Sequence, residues 1–276
     1  MKIRLMTSNI WGDFFGNPVG PRAPLLAKVF ARYAPDILGM QEVGPSWWAS
    51  SLIPELRKVY AQVPAPFPEK TNATPLFYRA DRFELLDSGR RLFHEELDWS
   101  KGWNYGVFNS RSDGGTFAVF NTHFWWESNL RDEVIRRYNA METVAEMRRV
   151  GAAFGAPVFL MGDLNCKCDS LTWKYLRAQG WETAFLRTEQ CSPYSSEHHD
   201  PVIHADGTCT GSTTDEPKED SIDHIAVPAS VEVLLQHAVI DREALDASDH
   251  SPVYADVEFG SGENMRDPSR HIKARK

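Results

Sequence analysis

Asn9, Glu42, His123 and Asp163 each stand at the C-terminal end of a short apolar run: KIRLMTSNI, DILGMQE, TFAVFNTH and the stretch APVFLMGD. Strand ends combine a rigid backbone with access from the loop that follows, and ligand crevices of open sheets form there. Taken singly, an asparagine in such a place is a turn former or helix cap, and a glutamate is a solvated side chain. Four at four strand ends point to one shared site. Two further groups join them, Asp223 inside the apolar run SIDHIAV and the pair Asp249-His250 ahead of SPVYADVEF. Burying Asp223 alone would cost on the order of several kcal/mol, so it needs a partner, and a histidine is the natural one. Carboxylates, amides and imidazoles together suit hydrolysis of a phosphate ester, which requires neutralised phosphoryl oxygens, an activated water and a stabilised leaving oxygen. A hard cation such as Mg²⁺ prefers oxygen ligands and keeps waters, and Glu42 with Asn9 is an appropriate anchor for one.

The elements that must carry these residues alternate between strand and helix. Residues 2–10 read as a strand, 25–33 as a helix stopped by Pro35, and 36–42 as a second strand. Pro45 opens a helix reaching Val59, and the proline-rich segment Val63–Pro75 is a loop. Strands follow at 76–79 and 83–87. Another pair at 105–109 and 116–123 is joined by Arg111-Ser112-Asp113-Gly114-Gly115, which is hairpin-turn chemistry. Arg131–Val150 fits a long helix with Val134, Tyr138, Met141 and Ala145 along one face. A strand at 156–162, a helix at 171–179, a long surface loop over 192–219 and strands at 221–227 and 252–259 complete the pattern.

Of the 276 residues, 42% are hydrophobic and 25% charged, which excludes a disordered body. The tail 261–276 holds five basic and two acidic residues, +3 against a chain total of −8, so residues 1–260 carry −11. Such an acidic body argues against gripping long nucleic acid through a broad basic surface. Residues 1–260 read as one catalytic domain and 261–276 as a basic, frayed tail. Arg4 and Asn9 interrupt the first apolar residues too early for a signal peptide, and no stretch is long enough to span a membrane, which predicts a cytoplasmic protein. Cys166, Cys168, Cys191 and Cys209, with His198, His199 and His204 nearby, match no standard zinc spacing, so four reduced, mostly buried thiols are expected.

The segments TSNIW, MQEV, FNTHF, MGDLN, SIDHIAV and SDHSPVYADV, in this order across nearly the whole chain, resemble the endonuclease/exonuclease/phosphatase superfamily. The resemblance implies an α+β fold, a four-layer αββα sandwich with two mixed sheets face to face, and a divalent-metal phosphoesterase using one or two Mg²⁺ or Mn²⁺ ions. It implies Glu42 as principal metal ligand, assisted by Asn9 and Asp249. Asp163 and Asn165 position the attacking water and the phosphate. His250 is the general base or a phosphate-contacting imidazole, oriented by Asp223, and His123 is a second imidazole serving a non-bridging oxygen or the leaving group. With two metals, Asp163, Asn165 and His250 become ligands of the second ion.

Arg136 on the helix after His123, Asn104 ahead of a strand leading to the site, and Trp125 in the aromatic run His-Phe-Trp-Trp are candidate substrate contacts. Lys101 and Trp103 share the position of Asn104. For the pairs Trp47-Trp48 and Trp125-Trp126, the alternative is that one member packs in the core while the other covers a helix. Many relatives continue the His123 motif with Asp-His or Asp-Asn and carry Thr-Phe-His where this chain has Thr208-Cys209-Thr210. Apurinic endonucleases usually have an acidic residue where Trp11 stands. Three readings follow: a hydrolase of a small or medium organophosphate, a DNA or RNA nuclease using the same centre, and a catalytically silent binding module. The marker of the third would be loss of Glu42, Asp163 or His250, and all three are present.

Overall fold

Period-two alternation decides which way every strand faces, and it therefore decides where the polar strand ends go. The structure, a computed structural model, describes all residues except 15, 66–70, 95–97, 128, 193–195, 212–220 and 261–276. The basic tail lies outside the described residues. The first sheet is built from β1 (Lys2–Asn9), β2 (Ile37–Gln41), β3 (Ala61–Gln62), β4 (Leu76–Tyr78), β13 (Glu232–Ala238) and β14 (Val253–Glu258), in the order β13-β14-β1-β2-β4-β3. The second holds β5 (Phe83–His94), β6 (Asp98–Ser110), β7 (Thr116–His123), β8 (Val158–Asp163), β9 (Trp181–Thr183) and β12 (Asp223–Pro228), in the order β5-β6-β7-β8-β12-β9. Both are mixed, with β1–β2 and β7–β8 parallel.

Three apolar layers hold the sandwich. Between the sheets, Ile3, Leu5 and Ile37 meet Phe108, Phe117, Phe159 and Ile225. Outside the first sheet lie α1 (Ala23–Tyr33), α2 (Pro45–Trp48), α3 (Leu52–Arg57) and α6 (Arg242–Ala247), which bury Leu26, Phe30 and Trp47 against Met6 and Leu38. Outside the second, α4 (Leu130–Phe154) and α5 (Leu171–Ala178) set Val144 and Trp173 against Phe120 and Leu160. The fold is the expected α+β arrangement, with helices on both outer faces of two stacked sheets.

On the inner face the apolar rows turn polar toward one end. Ile3 and Leu5 continue to Thr7 and Asn9, Phe117 and Val119 to Asn121 and His123, and Phe159 and Met161 to Asp163. β12 runs antiparallel to β8 with Asp223 opposite Asp163, so it contributes its first residue to the same end. Its next residue, His224, alternates to the helix side, where Nε2 meets the Cys166 carbonyl at 3.0 Å and the ring lies edge-on to Trp173.

Behind this end Asn121 ties the two sheets. Its amide donates to the carbonyls of Met40, Thr74 and Pro75 at 2.8–3.0 Å, and its oxygen accepts from Gln41 Nε2 at 2.5 Å. Gly39 is a glycine for the same reason, because a Cβ there would collide with the Asn121 side chain.

Several expectations change. The stretch 45–59 forms two helices, not one, because Pro54 has no N–H to continue a helix back through Ser50. Val134, Tyr138 and Met141 face solvent at 46%, 60% and 40% exposure. The buried face of α4 instead runs through Asp132, Arg136, Asn139, Ala140, Val144 and Met147, whose polar members are hydrogen-bonded. Trp47 and Trp48 are both buried. Among the cysteines Cys166 alone is buried, and none of the four is in a disulfide. Within 192–219 the described residues are mostly loop, as expected, and add a short hairpin in which β10 (Val202–Ile203) pairs with β11 (Cys209–Thr210), and a bridge from Glu197 to His250. β9, β13 and α6, unanticipated, are too short for periodicity to reveal. Among the described residues no helix is long and apolar enough to cross a membrane.

Truncating Asn121→Ala should cost about 2–3 kcal/mol, since it removes four buried hydrogen bonds, although the Thr74 and Pro75 carbonyls keep the Asn104 amide and the Met40 N–H, and Gln41 keeps Thr7; a loss below about 1 kcal/mol in urea denaturation would show that these remaining partners suffice. Burial lowers His224 from 6.5 to about 4. Between those values the unfolded chain binds the proton and the fold does not, so stability contributed at neutral pH, about 3 kcal/mol for such a shift, is lost as pH falls. His224→Gln should flatten the dependence of unfolding free energy over pH 6.5–4 relative to the parent, measured in EDTA, whereas an unchanged slope would refute the assignment.

Candidate active site

Asn9 closes β1 on the inner face, and its amide nitrogen bridges the two sheets by donating to Glu42 Oε1 at 3.1 Å and Asp163 Oδ2 at 3.0 Å. Its oxygen accepts from the Trp11 backbone at 3.0 Å. Glu42 follows β2 directly, and its second oxygen takes the Gly12 N–H at 2.7 Å. Asp163 ends β8, and its Oδ1 accepts from the backbone of Asn165 at 2.9 Å. Gly162 precedes it because φ is +148° and a Cβ would strike the Thr122 backbone. This is the physical reason for glycine in the MGDLN segment.

Across the cleft, His250 Nδ1 and Asp223 Oδ2 lie 2.6 Å apart, so the carboxylate holds one ring nitrogen and leaves Nε2 for other work. Ligand atoms of Asp163, Asp223 and His250 fall within 4.8 Å of one another. The turn that presents Asp249 and His250 is held by Ser248 Oγ donating to the Asn9 carbonyl at 2.9 Å and by His198 N–H donating to the Asp249 carbonyl at 2.6 Å. His123 Nε2 is 3.4 Å from Asp163 Oδ2 and 2.7 Å from Lys101 Nζ.

Burial sets the charge states. It pushes Asp163 up to about 7, with Asp223 adding repulsion, and Asp249 up to about 6, with Glu42 and Asp200 adding theirs. It lowers Lys101, against the pull of Glu42, Asp98 and Asp163, and it lowers His123, which the Lys101 and His250 cations depress further, so Lys101 donates to a neutral imidazole. Burial also opposes a charge on His250, but Asp223, Asp249 and Asp163 outweigh it and raise that imidazole well above the ordinary histidine range.

The backbone is held in unusual conformations here. Among the described residues four non-glycines have positive φ: Trp11, Glu42 and Asn165 belong to this site, and Ala34 ends a helix. Left-handed conformations cost a side-chain-bearing residue on the order of 1–2 kcal/mol, and they persist where surroundings impose them. Arg22 imposes one. Fully buried, it lies between the Trp11 and Trp47 rings at 4.6 and 4.8 Å. Its Nη1 donates to the carbonyls of Ile10, Trp11 and Ala247.

The structure thus brings Asn9, Glu42, His123, Asp163, Asn165, Asp223, Asp249 and His250 to one end of the sandwich. Three sequence candidates do other things. Arg136 is buried, donating to Glu133 at 3.1 Å and to the Trp125 carbonyl at 3.3 Å. Asn104 donates to Asn72 and Thr74 in the interior. The Trp125 indole is held by Asp132 at 3.1 Å, and its neighbour Trp126 lines the cleft instead. Lys101 reaches His123, while Gln41, Asn121 and Arg22 carry support that sequence reading passed over. Inner-face parity in FNTHF, which places Asn121 on the side of His123, was the available signal for one of them.

Glu42, hydrogen-bonded by the Asn9 amide, and Asp249 bring two carboxylates to the cleft, and the neighbouring cluster of Asp163, Asp223 and His250 buries Asp223 Oδ1 with no hydrogen-bond partner among the described residues, an excess of hard oxygen donors and negative charge. This composition fits a divalent cation.

The endonuclease/exonuclease/phosphatase family matches residues 6–250. No curated protein sequence matches the chain. Among solved structures, an endonuclease/exonuclease/phosphatase from Bacteroides vulgatus is 24% identical with a TM-score of 0.74, covering 94% of this chain and 100% of that one. A Bacteroides thetaiotaomicron mannosyl-6-phosphatase is 21% identical with a TM-score of 0.69, covering 93% and 100%. D. rerio TDP2, complexed with a single-strand DNA product, is 16% identical with a TM-score of 0.67, covering 94% and 99%. With the match running from β1 through His250, and so across every strand end that meets in the cleft, the chain belongs to the endonuclease/exonuclease/phosphatase family.

Proposed function

We propose that the protein is a divalent-metal-dependent hydrolase of a small or medium organophosphate, acting by attack of water on phosphorus. The observation that carries this reading is the convergence, in one cleft, of the Asp223–His250 pair with Asp163, Asn9 and Glu42. Members of the family hydrolyse phosphoesters, which supports the reaction class. Glu42, Asn9 and Asp249 would hold the cation. Bound there, it would supply positive charge to the phosphoryl oxygens and against the surrounding carboxylates.

His250 then accepts a proton at Nε2 from the attacking water, while Asp223 holds Nδ1–H and stabilises the imidazolium that forms. Asp163 and Asn165 orient the water and the phosphoryl group. As the new P–O bond forms, the bond to the alcohol breaks. Lys101 and His123 donate toward the oxygen that accumulates charge, and the alcohol leaves protonated. The nuclease reading uses the same steps with a polymer in the cleft. The cleft's acidic lining favours a small ester over it.

Turnover of phosphate esters by Mn²⁺-loaded protein should fall by about 10³-fold or more in His250→Ala and Asp163→Asn. Asp163→Asn should also melt no lower than the parent at pH 8 in EDTA, because it removes a buried charge. Glu42→Gln should raise the half-saturating metal concentration by at least about 10-fold. Near-parental rates in all three variants at fixed metal would overturn the mechanism.

A further inference from the structure

The cleft in front of the site holds about 430 Å³, the scale of a small-ligand cleft. Residues outside the strand ends that carry the carboxylates and imidazoles build much of its wall: Trp11 and Phe14 after β1, Asp98 and Trp99 opening β6, Trp126 after β7, and Asp200 before β10. Phe14 and Trp99 meet edge to face at 5.9 Å and 68°, making a corner. Parallel plates that sandwich a planar base are a different geometry. Trp126 is 57% exposed, an indole face with open access.

Charge narrows the ligand further. Among the described residues lining the cleft, Lys101 is the only cation, against Glu42, Asp98, Asp200 and Asp249. Lys101 is itself buried and committed to His123. A nucleic acid brings a phosphate for each nucleotide and calls for cations along its path. This wall presents acceptors instead. Asp98 spends one oxygen on the Ser100 backbone and hydroxyl, and Asp200 stands exposed on the rim. Carboxylates accept hydroxyl hydrogens, and aromatic faces take the apolar face of a ring.

We infer that the aromatic corner of Phe14 and Trp99, with Trp126 and Asp200, forms a subsite for the alcohol half of the ester, and that this alcohol is a single uncharged cyclic polyol, as in a hexose phosphate. The inference rests on the phosphoesterase reading and adds the substrate class to it. Phosphate goes to the strand-end residues, and the ring goes to the connections and the opening of β6.

The test pairs kinetics with titration calorimetry on Mn²⁺-loaded protein. The esters are a hexose phosphate, a short acyclic alkyl phosphate, a 5′-mononucleotide and a DNA oligonucleotide. The proteins are the parent, Trp99→Ala and Trp126→Ala, both substitutions lying at the rim. The hexose phosphate should have the highest kcat/KM, and each variant should lower its kcat/KM and affinity about ten-fold while leaving the alkyl phosphate rate unchanged. Preference for the mononucleotide or oligonucleotide, or hexose phosphate hydrolysis indifferent to both variants, would overturn the subsite and leave the phosphoesterase reading standing. Hexose phosphate binding weakened by Trp99→Ala with no ester turned over would uphold the subsite and overturn the catalytic reading. Absence of both binding and turnover would overturn both.

Discussion

Polar side chains on the inner faces of two packed sheets are buried and must find their partners within the seam, many of them across on the opposite sheet. That constraint organises this protein. Asn121 hangs from the second sheet and saturates carbonyls around β2 and β4 in the first. One inner-facing position further along, Asn9 hangs from the first and reaches Asp163 in the second. The same requirement pairs Asp223 with His250. A shift of either sheet by one residue would turn these groups away from their partners, so the site and the register of the fold are specified together.

The site stores what the core provides. Asp163 and Asp249 sit where burial penalises their charge, and Glu42, Asn165 and Trp11 hold backbone conformations that side-chain-bearing residues avoid. None of these arrangements would form in an isolated loop. Each is imposed by neighbours such as Arg22, whose guanidinium joins the β1 exit to α6 through three carbonyls while two indoles cover its faces. A cation entering among the carboxylates would relieve their mutual repulsion, so binding and stability are coupled in the same residues.

The strand-end residues were legible because polar groups terminating apolar runs are visible in one dimension, and the alternation that sends Asp223 inward and His224 outward is visible too. Support residues were not. Arg22 reads as an ordinary surface arginine at a helix start, and only the folded chain shows Trp11 and Trp47 on either side of it. α4 misled for a related reason. Its solvent stripe of Val134, Tyr138 and Met141 is more apolar than the first half of its buried face, where Asp132, Arg136 and Asn139 are each satisfied by a tertiary partner. Periodicity reports hydrophobicity, and it has no access to hydrogen bonds made across the fold.

A division of labour follows from where the residues sit in the chain. Groups that handle phosphorus come from or border β1, β2, β7, β8, β12 and β14, whose positions are pinned by ladders and by the polar seam between the sheets. On the proposed reading, groups that meet the rest of the substrate come from connections and from the partly exposed first residues of β6, where a change of residue disturbs the core little. The solved relatives share the fold over more than nine-tenths of this chain at 16–24% identity, and their names span a sugar phosphatase and an enzyme bound to DNA. Fold similarity at that level transmits the strand ends and says little about the connections. On the reading proposed here, the substrate is selected at Phe14, Trp99, Trp126 and Asp200 rather than at the residues that make the chain a member of its family.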